Sequence, residues 1–370
     1  MNISLKGNSG CHQLCTMWAD VAASMLYAFG SNGRGQLSLG HLEDAHTPTP
    51  CLIPSLLPSV PPCVIAAGGN HTVLLFPSGE CFAAGDNTGN QCCLPSATFP
   101  SLTAFHPISS YHRWEHVSAG WSFTVLIDYE GKIFVSGKGQ KGELGLGEDR
   151  HDALLEEIAD FSPRKVIQVV SGMAHTLLLT ASGDVWGWGA GRKGQLGEPT
   201  QSIVSRPRKV EVGFPVSKLD CGKDFSILVS RDNPQHIAIL GNDRYRIGDS
   251  LASWSGAEIL DIQASWNGVY LLETSGTINA WGKNDKGQLP PPSLEGITDI
   301  AVGSEHALAI AEDRTTKERK IITWGWGEHG NCGKPGGGDV IGEVFSLDIP
   351  APRNVRIGAG CATSFVWVEE

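Results

Sequence analysis

Three features of the amino-acid sequence predict an all-β fold, a seven-bladed β-propeller of four-stranded antiparallel blades. One phrase returns seven times at a mean spacing of about 49 residues. Each copy consists of strand-length apolar runs bounded by Gly or Asn turns. The two ends of the chain hold complementary halves of one copy. Composition agrees: 46 Gly and 21 Pro among 370 residues, with 18% charged, favour many tight turns over long amphipathic helices. A hydrophobic fraction of 41% is enough for a large core.

The first complete copy is "IAAGGNHTVLLFPSGECFAAGDNTGNQ" from Ile65. It runs apolar strand, Gly-x-x-His, apolar strand, Ser-Gly turn, apolar strand, then a Gly-led polar loop. "VSAGWSFTVLIDYEGKIFVSGKGQKGELG", "VVSGMAHTLLLTASGDVWGWGAGRKGQLG" and "IAVGSEHALAIAEDRTTKERKIITWGWGEHGNCG" repeat it. "LDCGKDFSILVSRDNPQHIAILGNDRYRIG" and "IQASWNGVYLLETSGTINAWGKNDKGQL" are weaker copies. The marker glycine falls at Gly68, Gly120, Gly172, Gly222, Gly303 and Gly360, with Ser265 standing in once. Such a unit is a small antiparallel sheet that cannot bury both faces alone, so it needs neighbours.

The ends predict closure. The last copy, "VRIGAGCATSFVWVEE", stops before its final strand and loop, and "LYAFGSNGRGQLSLG", Leu26 to Gly40, supplies them. The N-terminal strand is therefore expected to complete the last blade and remove the open sheet edges. One domain is expected over 25–370. Residues 1–24, with Lys6, Cys11, His12, Cys15 and Asp20, have no counterpart in the repeat and are expected as a disordered arm or extension.

Most conspicuous side chains have structural assignments. Trp188-Gly189, Trp281-Gly282 and Trp324-Gly325 occupy the place of Phe29-Gly30, so these aromatics are expected to fill the wedge between blades. His71, His175 and His306 share a position with Phe123 and Phe225, which marks it as a packing site. Cys332 stands where other copies have Leu37, Leu144, Leu196 and Leu289, which defeats a nucleophile pair with His329.

Ten Cys are scattered without a Cys-x-x-Cys pair, so neither a disulfide framework nor a zinc site has its usual spacing. There is no Gly-x-Ser-x-Gly elbow and no Walker-type loop. No enzymatic activity, cofactor or metal is expected. Residues 1–26 hold no continuous apolar run, and no stretch of 18 apolar residues exists. These features predict a soluble, intracellular, reduced protein with no membrane partner. The net charge of −11 disfavours direct nucleic-acid binding.

Antiparallel alternation places the Gly-x-x-His turns and Gly-led loops on one face and the Ser-Gly hairpins on the other. The seven Gly-led loops carry nine cations, among them Arg34, Lys193, Arg244 and Lys283, against five carboxylates. With Lys223, Asp224 and Glu305 in the turns, that face holds about +3 on an acidic body, which suits an acidic partner. Solvated turn residues are the alternative reading of the same charges.

Trp121 and Trp266 occupy a turn position filled elsewhere by Gly69, Met173, Lys223, Ser304 or Cys361. Bulk that the repeat does not demand marks an interface anchor or a side chain tucked into the central channel. Asn70, Lys223, Asp224, Glu305, Glu328 and His329 are the polar candidates beside them. On the opposite face, Ala311–Lys320 replaces a short hairpin with a long charged one, expected as a solvated loop tip. Lys334–Pro352 reads as a Gly/Pro-rich linker.

The phrase Gly-x-x-His-Thr…Gly-x-x-x-x-Trp-Gly-x-x-x-x-Gly-Gln-Leu-Gly, nearly whole from Gly172 to Gly197, resembles the regulator of chromosome condensation repeat. The resemblance covers essentially all of the chain after residue 25. "YAFGSNGRGQLSLGHLEDAHTP", "WGWGEHGNCG" and the turns "GGNH", "GKDF", "GSEH" and "GCAT" look most like the fungal alpha-tubulin suppressor branch. That resemblance implies a cytoplasmic and nuclear adaptor binding a small acidic CSL-type zinc-finger protein as a heterodimer. Through that partner it implies roles in diphthamide synthesis and in Elongator-dependent wobble-uridine modification of transfer RNA. The founding member implies the alternative, guanine-nucleotide exchange on a small GTPase. Chromatin binding is disfavoured by the weak basic face and the lack of a basic N-terminal arm.

Overall fold

A computed structural model describes residues 24–54, 57–108, 111–161, 165–256, 258–292, 294–352 and 354–369. The expected N-terminal arm lies outside the described residues up to 23, and Ser24 already opens a strand. Seven antiparallel sheets stand as blades around a central channel. In blade one the strands run outward from the channel as Val64–Ala67, His71–Leu75, Cys81–Asp86 and Ser101–Pro107. The innermost strands of neighbouring blades pack side by side. Blades two, three and six repeat the four-stranded order.

The ring closes as the chain ends predict. Ser24–Gly30 pairs along its whole length with Thr363–Glu369, Ser24 opposite Glu369 and Gly30 opposite Thr363. Val355–Ala359 lies inside that pair and Ala45–Pro50 outside it. Leu26, Ala28 and Phe29 are fully buried against Phe365 and Trp367, so the junction is part of a continuous core.

Two blades depart from four strands. Among the described residues, blade four has Val216–Cys221, Phe225–Ser230 and Ile237–Gly241, and blade five has Ile259–Ala264, Gly268–Glu273 and Ile278–Gly282. Where blade four would form its outer strand, the chain turns into a short helix, Ile247–Ala252. The Asp243 carboxylate accepts the Ile247 and Gly248 N–H groups and starts that helix. Lys334–Pro352 is more than the expected linker, because Val340–Ser346 within it is the outermost strand of blade six. The charged Ala311–Lys320 segment extends its hairpin, with Glu312 paired opposite Arg319.

Packing between blades explains the repeat. Phe29, Trp188 and Trp324 are fully buried. Trp188 Nε1 donates to the Glu143 carbonyl and Trp324 Nε1 to the Gln288 carbonyl, each in the loop of the preceding blade, at 2.9 Å. Trp281, in a blade without an outer strand, is only half-buried. Leu37, Cys92, Leu144, Leu196 and Cys332 fill one buried slot at the end of successive loops.

The shared histidine position is a buried hinge between blades. His71 Nε2 meets Thr124 Oγ1 at 2.9 Å, His175 Nε2 meets Ser226 Oγ at 3.0 Å, and His306 Nε2 meets Ser364 Oγ at 2.8 Å. Each hydroxyl donates its own proton to a loop carbonyl, of Gln91, Gln195 or Asn331. It must therefore accept from the imidazole, which fixes the Nε2–H tautomer. The ring lies on the marker glycine: a Cβ at Gly68 would sit 2.4 Å from the His71 ring, and one at Gly120 would sit 2.1 Å from Phe123. At five of the six marker glycines a ring occupies the space of the side chain, and at Gly360 Ala67 and Thr363 fill it.

Candidate interaction face

The turns and the Gly-led loops do share one face. In every blade the N–H just after the loop-leading glycine donates to the carbonyl two residues beyond the marker position: Asp86 to Asn70, Lys138 to Ser122, Ala190 to Ala174, Asn242 to Asp224 and Lys283 to Asn267 among them, at 2.7–3.0 Å. The loop-leading glycine is required by the same contact. Gly189 has φ +104°, and a Cβ there would approach the Ala174 carbonyl oxygen to 2.5 Å. Five loops are then pinned internally, as in Lys193 N–H to Gln195 Oε1 at 2.9 Å and Lys286 N–H to Gln288 Oε1 at 2.9 Å. Blade four has Ile247 at that place and Arg246 where Gly194 stands in blade three, so its loop takes a different path.

At the channel mouth the turns are stitched to one another. Gly69 N–H donates to Trp121 O, Trp121 N–H to Met173 O, Lys223 N–H to Trp266 O, Trp266 N–H to Ser304 O and Ser304 N–H to Gly360 O. Trp121 and Trp266, from blades two and five, bring their rings to 5.9 Å between centroids at 43°. They roof a cavity of about 170 Å³ lined by the marker glycines, Asp220, Ser304 and Cys361. Trp121 remains 39% exposed and Trp266 is half-buried. The channel and interface readings of this pair are thus compatible. Trp121 also explains Gly69, whose Cβ would lie 2.9 Å from the indole.

The polar candidates divide into two groups. Asn70, Lys223, Asp224 and Glu305 are in the turns beside the channel. Lys223 Nζ lies 5.2 Å from the Trp266 ring centroid, a cation–π contact. Glu305 is engaged within the chain: Lys283 Nζ donates to its two oxygens at 2.8 and 3.1 Å, and Gln288 adds a longer contact. Glu328 and His329 are on the blade-six loop. Glu328 is exposed, and His329 Nδ1 meets Asp44 of blade seven at 2.8 Å. The Trp326 ring stands edge-on to His329 at 5.3 Å.

Three contributors escape the sequence reading: Trp326, Asp44 and Tyr245. Trp326 and Tyr245 are recognisable afterwards as aromatics in places where other loops carry Ser31, Ala190, Lys193 or Lys286. Asp44 gives no such signal, since only folding brings it to His329.

Titration behaviour separates framework from surface. Burial lowers His71, His175 and His306 to about 4, so all three are neutral at physiological pH. Burial pushes Cys332 up to about 12, and its Sγ faces the Gly325 and Trp326 carbonyls while His329 faces Asp44. Those two side chains form no nucleophile–base pair. Asp220 is raised to about 7, first by burial, although it accepts the Cys221 and Ala264 N–H groups. Among the described residues no cluster of three or more His, Cys, Asp or Glu could hold a metal ion.

A closed propeller with a loop face around an aromatic-capped channel belongs to the class of rigid ring scaffolds. Residues 25–367 match the RCC1-like domain model, and the chain belongs to that family. An RCC1 repeat-containing protein of Schizosaccharomyces pombe is 30% identical over 362 residues, spanning 94% of this chain and 99% of that protein. The secretion-regulating guanine nucleotide exchange factor of Mus musculus is 26% identical, over 86% of this chain and 78% of its own length. Prp20p of Saccharomyces cerevisiae, whose crystal structure was described with its binding to Gsp1p and histones, superposes with a TM-score of 0.81. At 18% identity, over 95% of this chain and 92% of Prp20p, that likeness is one of fold. Propellers of this family are typically regulators or exchange factors rather than catalysts.

Proposed function

We propose that this chain is a non-catalytic adaptor that binds a small acidic CSL-type zinc-finger protein as a heterodimer. The reading is supported chiefly by the tilted Trp121–Trp266 pair, large aromatic area presented where the repeat needs none. The fungal relative aligned over nearly its whole length is consistent with it. In this reading the partner connects the propeller to diphthamide enzymes and to Elongator-dependent wobble-uridine modification, in cytoplasm and nucleus. Asn70, Lys223, Asp224, Glu305, Glu328 and His329 supply the polar surround, Glu305 through its pair with Lys283. A second reading, exchange factor for a small GTPase, is favoured by the similarity to the mouse exchange factor.

One comparison tests both. Wild type and the Trp121→Ala/Trp266→Ala variant are used for affinity purification from native extract, with mass spectrometry of the eluates. A CSL-type zinc protein retained by wild type and lost from the folded variant, with nucleotide release from a panel of small GTPases unchanged, is the expected result. Undiminished retention by the variant removes the face. Strong acceleration of nucleotide release replaces the adaptor with the exchange factor.

A further inference from the structure

Two cations on the loop face are held by aromatic rings rather than carboxylates, and both line one cleft. Lys223 Nζ lies 5.2 Å from the Trp266 ring, and the Arg244 guanidinium lies 5.7 Å from the Tyr245 ring. Lys223, Arg244, Tyr245, Trp266, Asn242 and Asp224 all line the cleft between the turns of blades four and five. Among the described residues neither cation has an ion-pair partner, whereas Arg246 is paired with Asp249, Lys283 with Glu305, and Lys286 with Asp339. The nearby Asp243 carboxylate is committed to the helix N–H groups at 2.6 and 2.8 Å. Asp224 is the remaining carboxylate of the cleft, which leaves it one positive charge in excess.

We infer that this cleft receives a carboxylate side chain from an acidic segment of the partner, seated between Lys223 and Arg244 with the Trp266 and Tyr245 rings as walls. The inference rests on the proposal that this face binds a protein partner, and supplies the chemistry of one contact in it. A ring-held cation keeps donors available to a guest, since a contact with an aromatic face leaves its charge unneutralised and does not saturate its N–H groups as a carboxylate pair would. Charge-assisted bonds from ammonium and guanidinium to one carboxylate are the strong type. The floor of the cleft is narrow, with about 10 Å³ of room for an oxygen-sized group, which suits the end of a carboxylate side chain. The loop that supplies Arg244 and Tyr245 lacks the internal side-chain pin found in five of the others, and it runs on into the short helix instead. The departure of blade four from the repeat and the cleft are therefore one feature.

The test uses the full chain and a defined probe, acetylated hexaglutamate amide, titrated calorimetrically at low ionic strength. Wild type is compared with Lys223→Glu/Arg244→Glu and with Lys317→Glu/Lys320→Glu, which makes the same change of net charge on the opposite face. The expected result is binding that weakens at least tenfold in the cleft variant and stays within about twofold in the control. Lys223→Gln/Arg244→Gln, which removes charge while adding no repulsion, serves if the reversal fails to fold, and the same tenfold loss is expected. Equal weakening in both charge variants, or no measurable binding by wild type, overturns the cleft. The two proposals fail separately. Partner retention that depends on Trp121 and Trp266 while hexaglutamate ignores Lys223 and Arg244 sinks only the cleft. Hexaglutamate binding through the cleft with no partner retained sinks only the adaptor reading.

Discussion

Gly189 shows how a single atom's absence organises a blade. Its φ of +104° and the 2.5 Å approach of a notional Cβ to the Ala174 carbonyl are two separate penalties. Gly213, at φ +79° with open space around it, carries only the first. Gly213→Ala is expected to cost about 1–2 kcal/mol, the ordinary penalty of the left-handed region. Gly189→Ala is expected to cost at least about 2 kcal/mol more, because it also breaks the Ala190 N–H to Ala174 bond that places the loop. Urea unfolding of the two variants checks this, and equal losses would show that the close approach relaxes freely. Trp121 reads the same way: its indole rests on Gly69, so its exposure depends on a neighbour having no side chain.

At the scale of the element, the closing strand and the incomplete blades are the informative cases. Ser24–Gly30 is held by a full-length ladder to Thr363–Glu369 and by buried Leu26, Ala28 and Phe29. Its opening would expose the core on both sides of the junction. Its amides are therefore expected to exchange with solvent only by global unfolding, as slowly as those of the buried strand His175–Thr180. Hydrogen exchange followed by mass spectrometry measures this, and early exchange of 24–30 would show that the ring opens locally. Ile237–Gly241, half-buried along its length with a strand neighbour on one side only, is expected to exchange sooner. The two weaker copies of the repeat turn out to be the two three-stranded blades. Their departures from the phrase were departures from the architecture.

At the scale of the whole molecule, three buried imidazoles at three blade interfaces make the ring acid-sensitive. The unfolded chain takes up protons near 6.5, whereas the native histidines do so near 4. Their contribution is fully present above pH 6.5 and is lost as pH falls toward 4, by about 3 kcal/mol each at pH 4. Asp220, raised to about 7, works in the opposite direction across that whole window, so a comparison of variants is needed. His175→Phe, which places in blade three the residue that blades two and four already carry, isolates one interface. It removes one hydrogen bond, to Ser226, worth about 1 kcal/mol at neutral pH. Between pH 7 and pH 4 the variant should then lose about 3 kcal/mol less than wild type in chemical denaturation. Parallel pH profiles would rule out His175 as a source of the acid sensitivity.

The sequence by itself determined the number of blades, the closure, the sharing of one face by turns and loops, and the buried slots of His71, Trp188 and Cys332. These are periodic properties, and periodicity is visible in one dimension because each copy repeats the same short-range packing. It also located Trp121 and Trp266 as bulk out of place. Tertiary structure alone decided that the two rings meet over the channel, because blades two and five are brought together only by curvature of the closed ring. It likewise decided that Glu305 is spent on Lys283, that His329 faces Asp44 across 285 residues of chain, and that Lys223 and Arg244 share a cleft. Those pairings depend on side-chain directions at the joints between blades. A repeat specifies the backbone of a joint, and the residues that differ from copy to copy decide what fills it.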